Sequence, residues 1–381
     1  MLHIGKSYIR RIDGMTRLCA DLVLNGHINT LWFAVAESQE AYLSVGRADP
    51  FVMALLPMAM HGNKEIVCED PMSERLHWQL CTDLMPALAG VGTWYHRISI
   101  FAPLTPMPGP CGNGVGTGFS GGVDSLYSIL RHGPDSECPL THLAVFNSGV
   151  FEGKSYHKNF LAACRAAGLF AKEIGLETIF VDTNFNEILP ERFLDVYSFR
   201  NLACALAVSP LFSVYLLSSG HDMANFNFDL HNAASYDALT VYCASTENTT
   251  FYLSGAEVKR WEKIKALTEW EHSFNWLHPC IYGLAGGRNC GHCKKCSRDL
   301  TTLYALDALD KYEAVVDVPE YRKHVAARIG FVFANRGNHL YDETLALLQF
   351  KHVPIPPTAY IYEKQFRRAI DNFDSSMKRG G

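Results

Sequence analysis

Apolar and polar positions change their spacing several times along the chain, and each change marks out an element. The runs "LWFAVAE" (31–37) and "HRISIFAP" (96–103) predict strands. "ADPFVMALLPMAMHG" (48–62) is apolar on most faces and predicts a helix packed in a core, and "SERLHWQLCTDLMPAL" (73–88) predicts a second helix. From 115 onward the pattern alternates. Strand "VGTGFS" (115–120) precedes a helix over 123–132, then strand "THLAVFNS" (141–148) and a helix within 154–174. Strand "ETIFVDTN" (177–184) and a long helix around 200–216 follow. Such alternation with short connections predicts a parallel sheet covered on both sides. From about 298 the chain reads as helical, and "DSSMKRGG" as a frayed end.

The most apolar segment, "LACALAVSPLFSVYLLSSG" (202–220), is interrupted by Ser209, Pro210 and Ser213. It falls short of the roughly 20 apolar residues of a membrane span and reads as a buried helix. The proline-rich segment 102–114 marks a boundary. The expected organisation is an α+β domain of unclear role over 1–108, an α/β domain over 109–312 and a helical extension over 313–381. A chain of 381 residues with 48% hydrophobic content suits such a multi-domain globular protein. Its net charge of −5 argues against direct binding of duplex nucleic acid through phosphate contacts. The start shows no secretory signal, so a cytoplasmic protein without membrane contact is expected.

The stretch "VGTGFSGGVDSLYSILRH" (115–132) carries more small, donor-rich residues than a turn needs. Glycine-rich loops between a strand and a helix cradle phosphate, because backbone amides approach closely and the helix start offers unpaired N–H groups. A Walker loop would need Gly-Lys-Ser/Thr, which is missing. "GNGVGTG" follows proline-rich chain where a dinucleotide fingerprint would follow a strand. Ser120-Gly121-Gly122-Val123-Asp124-Ser125 instead resembles, at every position, the loop of the PP-loop ATP pyrophosphatases. Ser120 and Ser125 would donate hydroxyls to phosphate, and Gly121 and Gly122 would let the backbone curl around the anion. Asp124 would orient Mg²⁺ or the loop itself. The bland alternative is a tight turn with a capping Ser or Asp.

Of twelve cysteines, four fall close together, Cys280, Cys290, Cys293 and Cys296, in "HPCIYGLAGGRNCGHCKKCSRDL". Four thiolates at this spacing predict a closed tetrahedral Zn²⁺ site of structural kind, with an iron–sulfur cluster as the other metal reading.

The order of loop and knuckle resembles the QueC-type 7-cyano-7-deazaguanine synthases, over roughly 113–305. "SFRNLACALA", "VYLLSSGHDMANF", "SYDALTVYCASTE" and "VKRWEKIKAL" extend the likeness. The resemblance implies a PP-loop domain of the adenine nucleotide alpha hydrolase-like kind carrying a zinc knuckle. It places Arg200 and Asn201 in a nucleotide pocket, Arg260 and Lys263 near phosphate, and Asp237 on the N–H groups of a 7-deazaguanine-type molecule. Asp124, Ser125 and Lys263 would act in catalysis. Each has a rival: an exposed helix face for Arg260 and Lys263, a surface ion pair for Arg200, a helix cap for Asp237. The family's Tyr-Pro-Asp-Cys-Arg stretch is here Ser235-Tyr236-Asp237-Ala238-Leu239, and the front unit and tail are additions. Longer chains of this build, including QatC and CBASS-associated proteins, belong to bacterial anti-phage defence.

The implied activity is ATP-dependent C–N ligation. ATP adenylates a carboxylate, that of a 7-carboxy-7-deazaguanine, with release of pyrophosphate. The acyl group then passes to ammonia, giving an amide or nitrile, or to an amine of a partner protein. Two other readings stand beside it: a catalytically quiet nucleotide- or nucleobase-binding subunit, and an RNA-modifying PP-loop enzyme, against which the acidic balance counts. A homodimer is left open.

Overall fold

A computed structural model of the protein describes residues 1–106, 111–151, 156–281 and 287–377. Four strands open the chain: β1 (Leu2–Ile4), β2 (Tyr8–Ile12), β3 (Met15–Leu24) and β4 (His27–Ala36). Helix α1 (Asp49–His61) and strands β5 (Ile66–Cys68) and β6 (Met72–Ser73) follow. The helix expected over 73–88 is present as α2 (Glu74–Gln79), a π turn at Leu80–Leu84 and α3 (Met85–Gly90). Short strands β7 (Ile100–Phe101) and β8 (Leu104–Thr105) lead to the alternating region. This region comprises β9 (Gly114–Gly118), α4 (Val123–Arg131), β10 (His142–Phe146), α5 (Tyr156–Ile174) and β11 (Glu177–Thr183). Next come α6 (Phe185–Ile188), α7 (Phe193–Ala207), β12 (Phe212–Ser218), α8 (Asp237–Tyr242) and β13 (Thr250–Ser254). Helices α9 (Arg260–Leu267), α10 (Lys294–Ala305), α11 (Val318–Lys323), α12 (Val325–Ala334), α13 (His339–Phe350) and α14 (Ala359–Met377) complete it.

The chain forms two compact units. One holds Met1–Phe119 and His132–Ala256; the other holds Ser120–Arg131 and Glu257–Gly381. The expected boundary between 108 and 109 lies outside the described residues.

In the first unit, eleven strands share one sheet in the order β13-β12-β9-β10-β11-β4-β3-β1-β5-β7, with β2 added on β3. The run from β13 to β11 is parallel throughout. Strands β4, β3 and β1 continue it antiparallel, and β5 and β7 finish it parallel. The fold is α/β with a mostly parallel central sheet. Helix α1 is apolar all round because it is buried all round, from Asp49 through Pro57, and it packs on α7.

One element differs from its expected form. The helix anticipated over 200–216 stops at Ala207, Ser209–Leu211 makes a single 3-10 turn, and Phe212–Ser218 is strand β12 between β9 and β13. Pro210 lacks the N–H that a continuing helix needs. A strand flanked on both sides in a parallel sheet is a continuous apolar run, and no period separates it from a buried helix.

The second unit is helical. Helix α4 packs on α9, α9 on α10, and α10 on α12 and α13. Ile329, Val332, Phe333, Leu345 and Leu348 form part of its core. Among the described residues no helix is long and apolar enough to cross a membrane.

Candidate functional site

The glycine-serine loop follows β9 directly in the chain and ends at the first turn of α4. Gly121 has φ +70°, a left-handed conformation that glycine adopts without a Cβ penalty. Its carbonyl accepts from the His278 backbone N–H at 2.6 Å. Ser120 and Ser125 meet through their hydroxyls at 3.1 Å, Gly122 N–H donates to Ser120 Oγ at 3.3 Å, and Ser125 Oγ donates to the Gly122 carbonyl at 3.1 Å. The loop is thus braced by its own side chains, while the helix start directs backbone N–H groups outward.

Behind the loop lies a chain of charges within the second unit. Asp124 accepts from Arg260 Nη1 at 2.7 Å through one oxygen and from Lys263 Nζ at 3.0 Å through the other. Arg260 also binds Asp299 side-on, and Arg298 donates from Nε to Asp299 Oδ1 at 2.7 Å. Arg260 and Lys263 of α9 are buried, so the exposed-helix-face reading does not describe these positions. Burial alone would raise the Asp124 carboxyl, but Arg260 and Lys263 outweigh it and hold it well below the usual carboxylate range. Asp299 is likewise drawn down, to about 2, by Arg260 and Arg298 against the effect of burial. Among the described residues, Arg260 and Lys263 bind Asp124, and Arg260 and Arg298 bind Asp299. Each oxygen of Asp124 accepts from one cationic side chain.

The four cysteines converge. The Sγ atoms of Cys280, Cys290, Cys293 and Cys296 lie within 4.8 Å of one another, and Cys290 and Cys296 are 3.9 Å apart. A tetrahedron of Zn–S bonds of about 2.3 Å has S–S edges of about 3.8 Å, so the donor set fits such a metal. Gly287 and Gly291 take left-handed turns in this segment, and Gly286 lies outside the described residues. The Cys293 N–H points to Cys290 Sγ at 3.3 Å, and the Cys296 N–H to Cys293 Sγ at 3.4 Å. Burial would raise the Cys293 thiol, yet backbone N–H groups of Cys296 and Ile281 leave it below its ordinary value. Burial and the surrounding sulfurs push Cys296 far up. A metal held by all four thiolates would have no position left for water.

Arg200, Asn201 and Asp237 belong to the first unit. Arg200 is buried, donating to the Glu191 carbonyl at 2.9 Å with its guanidinium over the Phe185 ring, so the surface-ion-pair reading does not describe it. It lines a cavity of about 480 Å³ that also takes in Asn147, Gly149, Asn184, Asn186 and Glu191. Asn147 and Asn184 directly follow the C-terminal ends of β10 and β11, where parallel sheets bind ligands. Among the described residues, the buried Asn147 Oδ1 has no hydrogen-bond partner. Neither Asn201 nor Asp237 lines this cavity. Asn201 donates to the Tyr197 carbonyl at 2.8 Å. Asp237 opens α8, but its carboxylate accepts from the Tyr197 and Ser198 hydroxyls of α7. Burial raises it to about 7 against those two donors.

The pattern of residues pointed to the loop and the cysteines, and the structure brings each set together. It missed Asp299, three residues after Cys296 on the same face of α10, and Asn147 beyond β10. The spacing of Asp299 from Cys296 was the available signal. No protein family model matches the chain, and no curated protein matches it.

Proposed function

We propose that this chain is an ATP-dependent C–N ligase of the PP-loop type, QueC-like, that activates a carboxylate on a 7-deazaguanine-type molecule. The observation that carries the reading is the loop Ser120–Ser125, turned by left-handed Gly121, with Arg260 and Lys263 clamped behind it on Asp124. In the proposed reaction a substrate carboxylate oxygen attacks the α-phosphorus of ATP, the bond to the bridging oxygen breaks, and pyrophosphate leaves. An amine nitrogen then attacks the acyl carbon, AMP departs with the bonding electrons, and the amine loses a proton to give the amide. The residues' share is electrostatic. Loop amides and the Ser120 and Ser125 hydroxyls would hold pyrophosphate, with the cations Arg260 and Lys263 beside the loop on Asp124. An acyl acceptor of partner-protein origin would give a conjugate; ammonia would give the amide, and a second adenylation, of the amide oxygen, followed by loss of AMP and protons would give the nitrile. A role in anti-phage defence belongs to the same proposal.

Pyrophosphate release with 7-carboxy-7-deazaguanine, with and without ammonia, tests this, with Ser125→Ala as the impaired control. Release that depends on the carboxylate supports the ligase. Retained nucleotide binding without release favours the second reading, a quiet binding subunit. That reading draws on Asp124 and Asp237, whose carboxylate oxygens are all engaged by protein groups.

A further inference from the structure

Two independent lines of contact run from the four-cysteine cluster to the glycine-serine loop, both inside the second unit. The first is main chain. Cys280 is two residues beyond His278, whose N–H holds the carbonyl of left-handed Gly121 at 2.6 Å. The segment is fixed by Asn289, which is buried beside Cys290. Asn289 Oδ1 accepts from the Cys280 N–H at 3.3 Å, and its Nδ2 donates to the carbonyls of Leu277 at 2.8 Å and Val315 at 3.0 Å. The second line is α10. Cys293 caps this helix, Cys296 is in its first turn, and Asp299 follows one turn later, holding Arg260, which holds Asp124 of the loop.

We infer that the metal held by Cys280, Cys290, Cys293 and Cys296 sets the shape of the phosphate loop, with Asn289 and Asp299 as the positioning residues that transmit it. A knuckle closed on a metal fixes Cys280 and the start of α10 at once. Those two elements carry the His278 clasp on Gly121 and, through Asp299 and Arg260, a clamp on Asp124. Without the ion, the four thiols have no common centre, both attachments lose their fixed ends, and Gly121 is no longer held in the turn. The cluster is therefore more than a staple for its own knuckle: its occupancy governs whether the loop presents its amides together. The anion-binding consequence rests on the proposed function, whereas the ordering of the loop does not.

The test is hydrogen exchange, followed by mass spectrometry, on the full chain loaded with zinc and after treatment with a zinc chelator. Peptides covering 119–126 and 276–281 report the loop and its clasp, and peptides from α12 and α13 report the rest of the unit. The expected result is at least a tenfold loss of protection at the loop and clasp on zinc removal, with α12 and α13 unchanged. Asn289→Ala, with zinc still bound by elemental analysis, should show the same pattern. If it does not fold, Asn289→Asp, which keeps the acceptor and loses both N–H donors, serves instead. Unaltered loop protection after zinc loss, or simultaneous loss of protection across the whole unit, overturns the inference. Pyrophosphate titration of the zinc-loaded protein separates the two claims. A zinc-dependent loop that binds no pyrophosphate would leave the coupling standing and remove the ligase reading.

Discussion

Arg260 and Asp299 face each other through two parallel hydrogen bonds, Nε to Oδ1 and Nη2 to Oδ2, each 2.9 Å long. The remaining arm of the guanidinium, Nη1, reaches Asp124. Only the planar fork of arginine serves both carboxylates in this way, since a lysine is a single point charge. Asp299→Ala leaves Arg260 and Arg298 buried without their shared counter-charge and should cost about 3–5 kcal/mol. Arg260→Lys should also destabilise, because it cannot span two carboxylates. Urea unfolding curves check both, and an unmoved midpoint for Asp299→Ala would contradict the network as described.

Asp124 follows the same logic. Its side chain offsets Lys263, which is almost wholly buried. Asp124→Ala should therefore lower stability by about 3 kcal/mol as well as altering the loop. Ser125→Ala, which removes one hydroxyl from the loop, should leave the melting temperature within a few degrees. Comparison of the two by thermal melting decides whether Asp124 acts by holding the loop.

Asp237 gives a pH dependence of opposite sign to that of Asp299. Its carboxyl is raised to about 7 from 3.8, by burial foremost. The associated stability is fully present below the unfolded value and is lost as pH rises through about 7. Asp237→Asn should gain on the wild type between pH 4 and pH 8, by on the order of 4 kcal/mol at most. For Asp299, lowered to about 2, stability is present above the unfolded value and is lost as pH falls through about 2. The deficit of Asp299→Asn should thus be largest near neutrality. Denaturation midpoints measured across this range test both signs.

Cys293→Ser removes one ligand and the sulfur that accepts the Cys296 N–H. Zinc bound after dialysis, read by elemental analysis, should fall from one per chain to near none, and the melting temperature should fall with it. A variant that keeps stoichiometric zinc would exclude Cys293 from the centre.

Gly149 lines the cavity of the first unit together with Arg200. An added Cβ would come within 2.5 Å of Arg200 Nη1 and 2.8 Å of Asn186 Oδ1, and the backbone has φ +102°. Gly149→Ala should cost about 1–3 kcal/mol and displace the guanidinium. A crystal structure of the variant with Arg200 unmoved would count against that account.

Much of the site was legible from residue pattern alone, and the reasons are local. The loop and the knuckle are contiguous in sequence, so their residue types announce themselves. Strands β9, β10 and β11 were bounded by turn residues and were readable for the same reason. Strand β12 was not, because a strand buried on both faces has no polar side to betray its period. The pairing of β4 with β11 and the partnership of Asp299 with Arg260 join positions far apart in the chain. Local periodicity carries no record of which distant partner an element will meet. Asn289 was overlooked because an asparagine beside a glycine-rich turn looks like ordinary loop chemistry.

The pairing of β4 with β11 also limits how this protein can be dissected. Phe33 and Ala34 lie opposite Thr183 and Asp182, and Asn184 locks the junction through the Trp32 N–H and the Thr30 carbonyl. A truncation that begins near residue 111, chosen to isolate the alternating region, would strip β11 of its neighbour and bare a row of main-chain donors and acceptors. Such a fragment would present a ready template for intermolecular strand addition. Expression trials should therefore retain the first hundred residues, or expect aggregates.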